Sequence, residues 1–122
     1  MTFALWCLLV VSLLPLVCAG LSKWGGFDNR HPREWLARQE GWRARANAAQ
    51  QNSWEALAMF AAAVLTAHVA GAAQSTVDLL AGAFLVTRVL FIACYVKDLA
   101  ALRSLVWIAG LGCCVGLFVV AA

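Results

Sequence analysis

VDLLAGAFLVTRVLFIACYV, residues 77–96, is an unbroken apolar run of twenty residues except for one arginine and one aspartate. At about 1.5 Å rise per residue, such a run matches a roughly 30 Å hydrocarbon layer and reads as a transmembrane helix. Arg88 lies about 16 Å along it, well short of the far end. A guanidinium at that depth costs roughly 2.5 to 3.5 kcal/mol on insertion scales, so it faces protein or a wet cavity rather than lipid. Arg88 therefore marks a site.

Working outward, three further stretches are long enough to span: about residues 3–21, 54–73 and 101–121. The whole chain of 122 residues is 64% hydrophobic and 12% charged, with a mean hydropathy of +0.82. A soluble domain of this size needs polar residues over most of its exterior, so that class is excluded. The reading is one all-α domain over residues 1–122, an integral membrane four-helix bundle with helices at about 3–21, 32–73, 77–96 and 101–121. The first stretch has no Lys or Arg ahead of its apolar run, which is longer than a signal core, so it is expected to be a retained helix, bent at Pro15.

The nine basic residues are distributed very unevenly. Lys23, Arg30, Arg33, Arg38, Arg43 and Arg45 fall in the first connection, Lys97 and Arg103 at the third, and none in the second. The positive-inside rule then places the first and third connections in the cytoplasm and both termini on the other side, which is the periplasm in a bacterial inner membrane. This topology signal accounts for most of the net charge of +3, and a nucleic-acid partner has no support. Cys7, Cys18, Cys94, Cys113 and Cys114 all lie in or beside apolar segments, with neither disulfide nor metal-ligand spacing, so no metal is expected. No dinucleotide fingerprint, phosphate loop or haem spacing occurs.

Asp28, Asn29 and Pro32 form a helix start signal, so the second helix begins outside the membrane. Unbroken from Pro32 to Ala70 it would measure about 58 Å, so it either projects as a stalk or breaks at Gly41. Trp24 suits the interface, and Ala109, Gly112 and Gly116 form a stripe that permits close helix approach.

Polar residues gather on two faces. At 100° per residue, Arg45, Asn52 and Glu55 lie within about 80° of one another on the second helix, while Arg88, Phe91 and Tyr95 share a face of the third, with Arg103 opening the fourth. Each group also has a packing role available: Glu55 as a buried counter-ion for Arg88, Asn52 as an interhelical hydrogen-bond staple, Tyr95 and Trp107 as belt aromatics, Arg103 with Lys97 as a topology anchor. His68 is expected to be solvated at the outer interface, and Asp78 to be an N-terminal cap charge. Together, cations and hydrogen-bonding groups with a single carboxylate at one depth suit a small zwitterionic ligand bearing carboxylates and an amine.

RANAAQQNSWEAL, residues 45–57, resembles the second-helix signature of the MAPEG family, the membrane-associated proteins of eicosanoid and glutathione metabolism. The likeness extends to Arg88, Tyr95 and the Leu102-Arg103-Ser104 step, and is to the short bacterial members. The resemblance implies a homotrimer of four-helix protomers holding glutathione between subunits near the cytoplasmic face, with a lipophilic small molecule arriving from the bilayer. Carried over by position, Asn52 and Glu55 bind the glutamyl end, Tyr95 hydrogen-bonds the tripeptide, and Arg103 stabilises the thiolate as the catalytic residue. Arg45, Arg88, Gln51 and Arg33 complete the expected glutathione set. Three positions depart from the family pattern: Ala48 replaces an arginine, Ala58 a proline, and Phe91 a hydroxyl or imidazole side chain.

The function implied is a membrane-bound glutathione-dependent transferase or peroxidase acting on lipophilic electrophiles. The alternative is a non-catalytic protein of the same fold with a structural or ligand-binding role, which the losses at Ala48 and Phe91 favour. A small multidrug exporter is disfavoured, because the first helix carries no charge and the basic bias fixes one orientation.

Overall fold

The computed structural model describes all residues, Met1–Ala122, and contains five helices and no strand. They are α1 (Phe3–Ser22), α2 (Pro32–Ala37), α3 (Gly41–Val69), α4 (Gln74–Val96) and α5 (Ala100–Ala121). α1 starts at a Thr2 cap whose hydroxyl accepts from the Leu5 amide, and it continues through a fully buried Pro15. The stretch expected as one helix over 32–73 is divided. Gly41 sits at φ +63°, a conformation that β-carbon sterics oppose in other residues, and the chain turns there between α2 and α3.

α3 and α4 occupy the middle. α1 packs chiefly on α3 and then on α4, α5 packs on α4 and α3, and α2 touches α3. The two turns that set this arrangement follow one design. After α3, Gly71 at φ +71° lets the Ala72 amide reach back to Ala67 O and its own amide reach His68 O. After α4, Asp98 at φ +61° does the same, with Leu99 N on Cys94 O at 2.8 Å and Asp98 N on Tyr95 O at 3.1 Å. Each satisfies carbonyls that a helix end otherwise leaves orphaned.

The interior consists of two apolar clusters separated by a polar layer. The larger holds Val11 of α1, Phe60 and Val64 of α3, Val77 and Phe84 of α4, and Leu117 of α5. Phe60 and Phe84 stack at 4.1 Å between ring centroids. The smaller holds Cys18, Ala49, Phe91 and Ile92. Along α4 the order Phe84, Arg88, Phe91 places the buried arginine between the two clusters. Close approach of α5 to α4 occurs at Gly110, where a Cβ would lie 2.9 Å from Thr87 Oγ1, and at Gly116 against Leu80. Gly112, expected in that role, faces open space.

The exterior is apolar. Leu79 is 71% exposed, Val119 66% and Leu105 65%, an arrangement that water would penalise and lipid or another apolar surface would not. α1, α4 and α5 are each long and apolar enough to cross a membrane. α3 is not, because its first half, GWRARANAAQQNSWE, is polar, so three helices rather than the expected four meet that description.

At the end of the molecule that carries the α3–α4 turn, Asp78 caps the neighbouring helix rather than its own. Its Oδ1 accepts from Ala4 N at 2.8 Å and from Gln74 Nε2 at 2.7 Å. His68, expected in solvent, is half-buried, with Nε2 3.2 Å from Thr2 Oγ1 and Nδ1 enclosed without a partner.

Candidate functional site

Arg88 is 4% exposed. Its Nη2 donates to Asn52 Oδ1 at 2.9 Å and to Ser53 Oγ at 3.3 Å, and its guanidinium carbon lies 4.2 Å from the centre of the Phe91 ring. No carboxylate lies within 4.0 Å of it, so the counter-ion role open to Glu55 in the sequence is not taken up. The reason is helical phase. Ala46, Ala49 and Ser53 are the buried face of α3, and two residues beyond Ser53 the helix has turned about 200°, which leaves Glu55 exposed. The acceptor is thus a neutral amide and a hydroxyl, with a cation–π contact on a third side.

Arg103 forms a second cation–aromatic pair, 4.2 Å above the Tyr95 ring, and Tyr95 in turn meets Phe91 edge to face at 5.6 Å. The turn at Asp98 makes this possible, since it folds the first turn of α5 back over the last turn of α4. Two arginines on adjacent helices are therefore held by aromatics one helical turn apart, Phe91 and Tyr95.

Two cavities meet here. One, of about 130 Å³, lies between α3, α4 and α5 and is lined by Asn52, Glu55, Met59, Arg88, Trp107 and Gly110 among others. The other, of about 320 Å³, is lined by Asn52, Phe91, Tyr95, Arg103, Ser104 and Trp107. Asn52 and Trp107 belong to both, so the two spaces share a wall. Their charged lining is two guanidiniums and a single carboxylate, which favours a ligand with net negative charge and one ammonium. The apolar remainder, with Ala56, Phe84 and Leu111 added, favours a lipophilic group alongside it.

Of the residues expected to form the site, Asn52, Glu55, Arg88, Tyr95 and Arg103 come together. Arg45 lines neither cavity; its Nε donates to Val96 O at 3.1 Å, and so serves the carbonyl end of α4, where a cation also meets the negative pole of the helix dipole. Gln51 is exposed on α3 and Arg33 exposed on α2, and neither lines either of these two cavities. Sequence reading missed Ser53 as an acceptor for Arg88, although the small-residue spacing Ala46, Ala49, Ser53 signals the inward face. It also left Trp107 as a belt aromatic, whereas it forms the common wall. Arg43, 2.6 Å from Trp24 O and beside Trp35 and Trp42, had no signal in the pattern. No group of three His, Cys, Asp or Glu converges anywhere, and all five cysteines are free.

An all-α protein with an apolar exterior and three helices long and apolar enough to cross a bilayer is a membrane protein, and between its helices Arg88, Arg103 and Glu55 line adjoining cavities. The chain belongs to the MAPEG family, whose family model matches residues 3–122, and that family of membrane proteins is associated with glutathione. No curated protein and no solved structure matches the chain.

Proposed function

We propose that this protein is a membrane-bound glutathione-dependent transferase or peroxidase acting on lipophilic electrophiles. The observation that carries the reading is the shared wall: a cavity with Arg103 and Tyr95 meets one with Glu55 and Arg88 across Asn52 and Trp107. A tripeptide thiol lying across that wall, its glutamyl end toward Glu55 and Arg88, would set its sulfur beside Arg103, where Phe91, Trp107 and Ile108 offer an apolar lining to a lipophilic partner. In this account Glu55 takes the glutamyl ammonium with Asn52 beside it, Arg88 supplies positive potential to a carboxylate, and Tyr95 donates to the peptide. Gln51, Arg45 and Arg33 join the ligand set only from outside the cavities.

Arg103 is the residue assigned to the chemistry. A thiol is a poor nucleophile, and a guanidinium beside it lowers its pKa from about 8.5 toward neutrality. In conjugation the thiol proton leaves to water, the thiolate sulfur bonds to the electrophilic carbon, and the leaving group departs with its electron pair. In the peroxidase variant two glutathione molecules are oxidised to the disulfide while a hydroperoxide is reduced to alcohol and water. Tyr95 is a positioning residue, whose ring face holds the guanidinium.

The assembly that fits is a homotrimer of four-helix bundles in a bacterial inner membrane, with the apolar half of α3 inserted beside α1, α4 and α5 and both termini periplasmic. The apolar exterior and the basic first connection support it. A second reading, a non-catalytic protein with a structural or ligand-binding role, is favoured by one observation: Nη2 of Arg88 is already engaged by Asn52 and Ser53. Steady-state conjugation of a chloro-nitroaromatic by the detergent-purified protein separates the two. Turnover, with kcat lowered in Arg103→Met and KM for glutathione raised in Glu55→Gln, supports the enzyme. Absence of turnover in a protein that still binds glutathione supports the second reading.

A further inference from the structure

The connection between α1 and α3, residues 23–40, lies outside both cavities and is folded in its own right. Leu36 is buried, Trp35 meets Phe27 edge to face at 6.0 Å, and Asp28 Oδ1 accepts from the Arg30 amide at 2.9 Å. Arg43 ties this segment to α3: Nη2 donates to Trp24 O at 2.6 Å while the guanidinium lies 5.7 Å from the Trp35 ring and 5.3 Å from the Trp42 ring. Lys23 sits 4.7 Å over Phe27. Cations interleaved with aromatics in this way are held in place rather than swept through solvent.

Residues 23–40 carry Lys23, Arg30, Arg33 and Arg38 against Asp28, Glu34 and Glu40, and Arg43 and Arg45 at the start of α3 bring the stretch 23–45 to six basic and three acidic residues, a net +3. Among nine Lys and Arg and six Asp and Glu, no Lys or Arg comes within 4.0 Å of a carboxylate, and the one ion pair is His31 with Asp28 at 3.6 Å. Arg30, Arg33 and Arg38 are exposed, and no acceptor meets their guanidiniums. Position supplies the second observation. The α1 span ends at Ser22, so Lys23 and Trp24 stand at its mouth. Trp24 is 73% exposed and Trp42 is 40% exposed, as suits rings that rest at headgroup depth.

We propose that this connection is a docking surface for anionic phospholipid headgroups of the leaflet on its own side of the membrane. Guanidinium forks match phosphate oxygens bidentately, and a stretch of net positive charge immediately beside a spanning helix is attracted to an anionic leaflet. A lipid fits better than a soluble anion because Arg30, Arg33 and Arg38 are exposed and line neither cavity, and the same connection carries the exposed Trp24. The proposal does not depend on the enzymatic reading.

The test reconstitutes the full-length protein in vesicles of equal phosphatidylglycerol and phosphatidylcholine, then re-extracts it and measures the ratio of the two lipids retained. Wild type is expected to retain phosphatidylglycerol in excess, less so in 0.5 M salt, with relative affinity falling by roughly fivefold per arginine removed in Arg30→Gln/Arg38→Gln at low salt. Helical circular dichroism establishes that the variant is folded, and the salt arm on wild type reads the same charge effect without any substitution. Equal retention of the two lipids by wild type, or an unchanged excess in the folded variant, overturns the proposal. Displacement of phosphatidylglycerol by millimolar inorganic phosphate overturns it as well, in favour of a free-anion site.

Discussion

Replacing Asn52 by leucine withdraws the shorter of the two acceptors from a guanidinium that is 4% exposed and has no carboxylate partner. A hydrogen bond to a charged group contributes about 1.5 to 3 kcal/mol, and stripping a buried charge of its partner costs about 3 to 5 kcal/mol. Neutral side-chain pairs between membrane helices contribute only about 0.6 kcal/mol on average. Ser53 retains its contact at 3.3 Å, so the expected loss in Asn52→Leu is about 2 to 3 kcal/mol, the charged hydrogen bond without the full cost of an unpartnered charge. In Arg88→Met the charge itself is gone, and Asn52, half-buried at a cavity wall, turns to water at a cost of about 1 kcal/mol. Once methionine is in place, Asn52→Leu has little left to break. The double variant is therefore expected to lose about 2 kcal/mol less than the sum of the two single losses in a denaturant unfolding cycle in detergent. Asn52→Asp, which keeps an acceptor and adds a charge, is expected to match or exceed wild type. Additivity within about 0.5 kcal/mol would refute the polar layer as an energetic unit.

Gly110→Ala puts a Cβ 2.9 Å from a Thr87 hydroxyl that is itself held at 2.6 Å on Phe84 O, so thermal unfolding is expected to report a loss of about 1 to 3 kcal/mol, largely recovered when Thr87→Ala is added. Asp98→Gly relaxes a φ of +61° in the α4–α5 turn and is expected to stabilise by about 0.5 to 1 kcal/mol in the same assay, with no change in helicity. Asp78→Ala removes the cap on Ala4 N and is expected to cost about 1 kcal/mol and to speed amide exchange in the first turn of α1, while Asp78→Asn retains most of the cap.

Helix existence was legible because apolar runs end at polar or glycine punctuation: residues 3–21, 77–96 and 101–121 were expected, and Phe3–Ser22, Gln74–Val96 and Ala100–Ala121 are found. The region around Gly41 offered two outcomes, and only the positive φ decides between them. Helical periodicity placed Asn52 and Glu55 on a common strip, yet it carries no information on how α3 is rotated toward α4. That rotation is what gives Arg88 to Asn52 and Ser53 and leaves Glu55 exposed. Asp78 illustrates the same limit: its capping chemistry is readable, but the helix it caps is seventy-four positions away. Arg45 satisfies the end of α4 for a similar reason, since a guanidinium near a helix terminus finds orphan carbonyls wherever the fold presents them.

The most direct test of the glutathione site is isothermal calorimetry of glutathione on the detergent-purified protein, wild type against Glu55→Gln and Arg103→Ala. Saturable binding by wild type, weakened in Glu55→Gln through loss of the ammonium contact, is the result the account predicts. No heat of binding at millimolar glutathione in a folded wild-type protein would contradict it, leaving Arg88, Asn52 and Ser53 as a packing device and the two cavities without their proposed ligand.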